Sequence, residues 1–267
     1  YLKKNLKLLK LFASLSRITM NKTAIIIPSR LDAKRLPGKP LKLINNKEMI
    51  LHVYEAAIKS KAGEVYVASP DQKIIDIIKK SGGNAIKTGK NHETGTDRIN
   101  EVFKETLNLR PEIIINLQGD MPNIEPEAIS NLVLYMKSNK CDICTLASDL
   151  KSEADLKNSN VVKVEVKENL FDDLFLNAID FFRLKNQLSS NKLYHHIGIY
   201  AFTNKALMRY VSLKRSKLEL ERKLEQLRAL ENKMTIHVGY TKSSPLSIDT
   251  ERDLAEVRNL MEKNGKN

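Results

Sequence analysis

Over the first 150 residues, short and nearly all-apolar runs alternate with helical patterns, and this constrains the fold more than any other feature. TAIIIPSR (23–30), EVYVAS (64–69), NAIKT (84–88), EIIINLQGD (112–120) and DICTLAS (142–148) read as strands. Between them EMILHVYEAAIKSK (48–61), DQKIIDIIKKSG (71–82), GTDRINEVFKETL (95–107) and EPEAISNLVLYMKSN (125–139) carry apolar residues at helical spacing. An apolar strand must be buried on both faces, and helices on both sides of a sheet achieve that. Each helix supplies the crossover that two parallel strands require. The expected class is α/β, with a mostly parallel central sheet and helices on both faces. Asp71 and Thr96 are placed to cap the second and third helices, and Gly82 and Gly83 stop the second.

The second half is less regular. NVVKVEVKEN (160–169), HHIGIYAFTN (195–204) and MTIHVGYTK (234–242) read as strands. DDLFLNAIDFFR (172–183) is ambiguous and leans helical, and NQLSSNK reads as a polar loop. KLELERKLEQLRALEN (217–232) reads as one long charged helix and TERDLAEVRNLMEKN (250–264) as another. No repeat or low-complexity linker separates halves. The expectation is a single domain over 20–267 with a sub-region at about 155–215. The first 22 residues carry Lys3, Lys4, Lys7, Lys10, Arg17 and Lys22 with no acid, and Met20 just precedes the first strand. Met20 is read as the start, and residues 1–19 as a non-native or disordered extension.

The formal net charge of +13 raises the possibility of a basic nucleic-acid-binding protein. The lysines are scattered, however, and no basic stripe with interleaved aromatics is present. No stretch of about 18 apolar residues exists to span a membrane. The only cysteines, Cys141 and Cys144, form a C-x-x-C without a second pair. They fall in a strand pattern and read as small apolar residues rather than a redox or zinc site. A reducing, cytoplasmic setting fits.

In open α/β sheets ligands bind beyond the carboxyl ends of the strands. The first strand is followed there by PSRLDAKRLPGKPL, with Arg30, Lys34, Arg35 and Lys39. Two prolines stiffen this loop, Gly38 permits close approach, and Arg35 and Lys39 present charge. The fourth strand is followed by LQGDMP with Asp120, and the last by SSPLSIDT with Asp249. GKNHETGTDR offers backbone N–H groups at a helix start. Cations and isolated carboxylates on one edge suit a polyphosphate with magnesium, which takes one or two carboxylates plus phosphate oxygens. Neither a Walker loop nor a G-x-G-x-x-G is present.

In order along the chain, RLPGKPL, HETGTDR (92–98), NLQGD (116–120), HIGIYAF (196–202), LEQLRALE (224–231) and SIDTERDL (247–254) resemble the 3-deoxy-manno-octulosonate cytidylyltransferase (CMP-Kdo synthetase) family. The resemblance covers residues 23 to about 260. It implies a Rossmann-like, GT-A-like nucleotidyltransferase fold and transfer of CMP from CTP to 3-deoxy-D-manno-octulosonate (Kdo), with Mg²⁺. It implies that Pro28, Ser29 and Arg30 hold the cytosine end, Arg35 and Lys39 the triphosphate, and Asp120 and Asp249 the metal. Lys39, Asp120 and Asp249 would be the catalytic set. Gln118, His196, Tyr200, Glu225 and Gln226 would face the sugar acid, with His92 and Thr96 near either substrate. It also implies a homodimer formed through the 160–215 region.

Two departures stand out. Met121 follows the QGD motif where relatives often carry Glu, and LFLNAIDFF lacks the arginine that family members commonly place before HIGIY. Arg183 is the substitute nearest in sequence. The competing readings are a cytidylyltransferase for 8-amino-Kdo or a sialic-type acid, a nucleic-acid-binding protein, and a catalytically idle CTP-binding protein.

Overall fold

A computed structural model describes residues 23–33, 35–105, 111–171, 175–185 and 190–264. The expected extension at 1–19, Lys34, and the ends of two predicted helices (Thr106, Leu107 and Asp172–Leu174) lie outside the described residues.

The first half follows the alternation. Strands β1 (Thr23–Pro28), β4 (Glu64–Ser69), β5 (Asn84–Lys87) and β6 (Ile113–Leu117) pair in parallel in the order β5-β4-β1-β6. A small hairpin, β2 (Leu43–Ile44) and β3 (Lys47–Glu48), precedes helix α1 (Met49–Lys59). Together with α1, helices α2 (Gln72–Lys80), α3 (Gly95–Glu105) and α4 (Pro126–Ser138) make the crossovers. The period of two in β1 sorts the core. Ile25 and Ile27 pack with Val53 of α1, Ile78 of α2 and Leu132 of α4. Ala24 and Ile26 pack on the other face with Ile99 and Val102 of α3. Burying side chains of this size contributes about 1.5–3 kcal/mol each.

The second half mixes strand directions. β7 (Ile143–Ser148) does not pair with β6. The twelve-residue β10 (Lys192–Thr203) runs antiparallel between them. β11 (Ile236–Tyr240) pairs in parallel with β7. Beyond β11 lie β9 (Phe175–Phe182) and β8 (Lys163–Val166), both antiparallel, and β8 returns to the first residues of β10. The remaining elements are α5 (Glu153–Lys157), α6 (Asn204–Ser212), α7 (Lys217–Arg222), α8 (Leu227–Glu231) and α9 (Glu251–Asn264). Within the expected sub-region at 155–215, β8 and β9 extend the main sheet.

Three expectations are corrected. The 172–183 stretch is a strand from Phe175 to Phe182, not a helix. Its pairing with β8 slips between Glu165 and Val166, which face Asp180 and Ala178, so Ile179 is an extra residue. The bulge spoils the alternation that would have marked a strand. The long charged helix at 217–232 is two short helices, broken where Lys223 takes a left-handed φ of 55°. Thr96 is not a cap. Thr94 and Asp97 form a reciprocal cap instead, with Thr94 Oγ1 accepting from Asp97 N and Asp97 Oδ2 accepting from Thr94 N. Cys141 and Cys144 are buried and unbridged, as apolar packing residues are expected to be. Among the described residues, no helix is long and apolar enough to cross a membrane.

Candidate active site

The carboxyl ends of β1 and β6 and the start of α3 border a cleft of about 420 Å³. The cationic loop after β1 forms one wall and is held from several sides. Gly38 adopts a left-handed φ of 68°, which a side chain resists, and leads into a 3₁₀ turn at Lys39–Leu41. Leu36 is buried with Ile248 and with Leu254 and Val257 of α9. Asp71, expected to cap α2, makes no side-chain cap. Its Oδ2 accepts the backbone N–H of Leu31 at 2.8 Å and fixes the start of the loop.

At the floor of this wall three distant segments meet. Lys39 Nζ donates to Asp120 Oδ2 at 2.8 Å, to the carbonyl of Ile248 at 2.7 Å and to Asp249 Oδ1 at 3.3 Å. Arg35 lies 2.8 Å from the other oxygen of Asp249. The backbone N–H of Ile248 donates to the carbonyl of Asp120 at 3.0 Å, so the two carboxylates are tied together by main chain. Burial lowers the affinity of Lys39 for its proton. The charges of Asp120 and then Asp249 outweigh this and hold its pKa above the ordinary value. Gly119 lets this floor close. A Cβ there would stand 3.2 Å from Ile50 and 3.3 Å from the Pro28 carbonyl.

The opposite wall is the segment before α3. Arg98 is buried and donates to Thr88 Oγ1 and, at 2.8 Å, to the carbonyl of Gly89. Burial and then the charge of Arg30 press its pKa down. His92 Nε2 bonds to Glu101, which also accepts the Gly89 N–H at 3.0 Å. Burial would raise the Glu101 carboxyl, but the bonds from His92 and Gly89 carry it below the usual carboxylate range.

A partly buried polar chain leads away from the cleft. Gln118 Nε2 donates to Asn116 Oδ1 at 2.8 Å, Asn116 Nδ2 to Thr96 Oγ1 at 3.2 Å, and Thr96 Oγ1 to Glu225 Oε1 at 3.3 Å. It ends at a narrow pocket bordered by Thr96, Tyr200, Tyr210, Glu225 and Gln226. Burial raises the pKa of Glu225, and its Oε2 is buried with no partner among the described residues. The break between α7 and α8 turns Glu225 and Gln226 inward. Arg228 locks that break by donating from Nε and Nη2, one edge of its guanidinium, to the fully buried Glu219, at 2.8 and 2.6 Å. Arg228, although it lies in a strongly charged stretch, is thus only 4% exposed.

Pro28, Ser29, Arg30, Arg35, Lys39, His92, Gln118, Asp120 and Asp249 thus meet at the cleft. Thr96, Tyr200, Glu225 and Gln226 gather at the second pocket. His196 borders neither of these two pockets. It is buried, edge-on to Phe181 at 5.0 Å, and its Nε2 bonds to Thr145 Oγ1 at 2.9 Å. Thr145 has one hydroxyl proton and faces the carbonyls of Ile197 and Ile199, which can only accept. With the Thr145 proton on the Ile199 carbonyl, at 2.7 Å, His196 donates from Nε2, and burial pushes its pKa down to about 3. Arg183 turns away, donating to the carbonyls of Ser159 and Asn160. Sequence reading missed Asp71 and Asn116 as parts of the site. Asn116 carried a signal, being polar within an apolar strand, whereas Asp71 read as an ordinary cap.

The description "Cytidylyltransferase" belongs to a family model that matches residues 24–236. A 3-deoxy-manno-octulosonate cytidylyltransferase of Rhodopseudomonas palustris is 42% identical, covering 90% of this chain and 97% of that protein. The enzyme of the same name from Brucella canis is 40% identical over 91% of this chain and 97% of its own. The chain belongs to the 3-deoxy-manno-octulosonate cytidylyltransferase family. A solved CMP:2-keto-3-deoxy-manno-octonic acid synthetase complexed with CTP superposes with a TM-score of 0.81 at 35% identity, covering 91% of this chain and 99% of that one. Family membership accounts for the mixed sheet. The Rossmann-like α/β fold implied by the motifs is the fold observed.

Proposed function

We propose that the cleft carries out cytidylyl transfer from CTP to Kdo, with release of pyrophosphate, and that Lys39, Asp120 and Asp249 form its centre. The observation that carries this is their convergence. Residues 81 and 210 positions apart from Lys39 place their carboxylates on one ammonium. In the reaction the anomeric hydroxyl of the sugar acid attacks the α-phosphorus of CTP, and the bond to the pyrophosphate oxygen breaks. Such a displacement depends on positioning and charge neutralisation, not on a covalent enzyme intermediate. Pro28–Arg30 border the nucleotide, and Arg35 and Lys39 neutralise the triphosphate. Gln118 reaches the acceptor from the cleft, and Tyr200, Glu225 and Gln226 reach it from the second pocket.

The donor set fits Mg²⁺. Two carboxylates meet at one point, and among the described residues no group of three or more His, Cys, Asp or Glu could hold a metal alone. Magnesium characteristically completes such a pair with substrate phosphates. Asp120 and Asp249 would hold it, and it would supply charge neutralisation at the phosphates and a lowered pKa for the attacking hydroxyl. A cytoplasmic homodimer is part of the proposal. Phe171, Ile179 and Leu184, 61%, 46% and 59% exposed, offer apolar surface around β9.

The test is pyrophosphate release with Mg²⁺ and CTP, offering Kdo, 8-amino-Kdo and sialic acid in parallel. Kdo supports release, and Asp120→Asn lowers turnover by roughly 100-fold or more with its unfolding transition intact. Release with another acid alone moves the substrate. Undiminished Mg²⁺-dependent turnover in Asp120→Asn defeats the metal assignment.

A further inference from the structure

A sugar acid brings a carboxylate into the site, and that carboxylate needs a cation. The cations at the phosphate end have other roles, Arg30 at the nucleotide and Lys39 and Arg35 at the triphosphate. Lys39 is shared between Asp120 and Asp249, Arg35 is paired with Asp249, and Arg98 is buried against Thr88 and Gly89. On the side of α7 and α8, Arg228 is 4% exposed and is held on Glu219 through Nε and Nη2.

Arg215, just before α7, is differently placed. Its Nε donates to Glu219 Oε1 at 3.0 Å, and its Nη1 lies 3.6 Å from Oε2 of Glu93, which borders the cleft. The two anchors are unequal. The Glu219 side chain is 0% exposed and is fixed by Arg228 as well. The Glu93 side chain is 73% exposed, and at 3.6 Å the contact is an ion pair too long for a hydrogen bond. A carboxylate entering beside Glu93 can take its place on the guanidinium without disturbing the buried anchor.

We propose that Arg215 is a specificity-determining residue: the outer edge of its guanidinium receives the carboxylate of the sugar acid in exchange for Glu93, while Glu219 holds the inner edge. The inference rests on the sugar-acid reading of the function given above. The planar fork of arginine matches a carboxylate in two-pronged fashion, which an ammonium cannot do.

The experiment measures pyrophosphate release with Kdo varied at saturating CTP, and the reverse, in wild type, Arg215→Ala, Arg215→Lys and Glu93→Gln. Arg215→Ala raises KM for Kdo roughly tenfold or more, as loss of a charge-assisted bond does. KM for CTP stays within about twofold, which a general loosening of the site would not allow. Arg215→Lys recovers part of the loss, and Glu93→Gln, which frees the guanidinium, lowers KM for Kdo. An unchanged KM for Kdo in Arg215→Ala, a parallel rise in KM for CTP, or a KM for Kdo that fails to fall in Glu93→Gln overturns the inference while leaving the reaction in place. A wild type that turns over with no sugar acid removes the functional reading, and this inference with it.

Discussion

Replacing Arg228 by Met isolates the device that holds the α7–α8 break. Glu219 is fully buried and accepts from Arg228 at 2.8 and 2.6 Å, from the Ser216 N–H at 3.1 Å and from Arg215 Nε at 3.0 Å. Removing one partner of a buried ion pair costs about 3–5 kcal/mol. Ser216 and Arg215 remain in the variant, so the expected loss is at the lower end, about 3 kcal/mol, including the stacking of Arg228 on Tyr210 at 4.7 Å. With a urea slope of about 3 kcal/mol/M for a chain of this size, the midpoint falls by about 1 M.

The pH dependence carries a second signature. Burial would raise the Glu219 carboxyl, but Arg228 and the Ser216 N–H bring it below the usual range. A depressed carboxylate stabilises the fold above its unfolded pKa of about 4.3, and that contribution disappears as pH falls through the folded value. The gap between wild type and variant therefore narrows in acid. The double variant Glu219→Leu/Arg228→Met, with neither charge buried, recovers much of the loss. A midpoint shift below about 0.3 M in the single variant, or a double variant whose loss equals the sum of the two singles, refutes the reasoning.

Three further expectations concern other parts of the molecule. Lys39→Ala raises KM for CTP and lowers turnover together, because it removes the ammonium shared by Asp120 and Asp249; an unchanged CTP dependence in steady-state kinetics contradicts the phosphate role. Asp71→Ala releases the Leu31 N–H, so KM for CTP rises severalfold while α2 survives, at a stability cost of about 1 kcal/mol; an unaltered KM shows that the loop does not need that anchor. His196 is neutral when folded and takes a proton below about 6.5 when unfolded. Its contribution is thus complete above that pH and is lost as pH falls toward 3, about 2 kcal/mol between pH 7 and 5. Urea titrations of His196→Gln at the two pH values should show a shallower decline than wild type, and an equal decline rules out the buried neutral imidazole.

How far the sequence predicts the structure depends on which physical signal each segment carries. β1, β4, β6 and β7 were legible because burial on both faces leaves a nearly continuous apolar run. The cleft was legible because cations and carboxylates follow those strands directly, and the sheet carries them to one edge. β9 was obscured by one extra residue, Ile179, that breaks its period. The break at Lys223 had no marker at all. Neither Gly nor Pro stands there, and a lysine adopts the left-handed conformation at a cost of about 1–2 kcal/mol that Leu224, Leu227 and the Arg228–Glu219 pair offset by burial. Asp71 misled for a different reason. The same carboxylate that can cap its own helix instead caps a loop 40 residues away, and only the tertiary structure decides between the two.

The meeting of Lys39 with Asp120 and Asp249 also sets an order of events during synthesis. A ribosome adding about 5–20 residues per second releases the parallel half of the sheet many seconds before residue 249 emerges. In that interval the cationic loop has neither Asp249 nor the packing of Ile248 and α9 against Leu36. A nascent or truncated chain lacking the last strand and helix can therefore fold its first core yet hold no assembled centre, and competence for phosphoryl chemistry arrives in one late step.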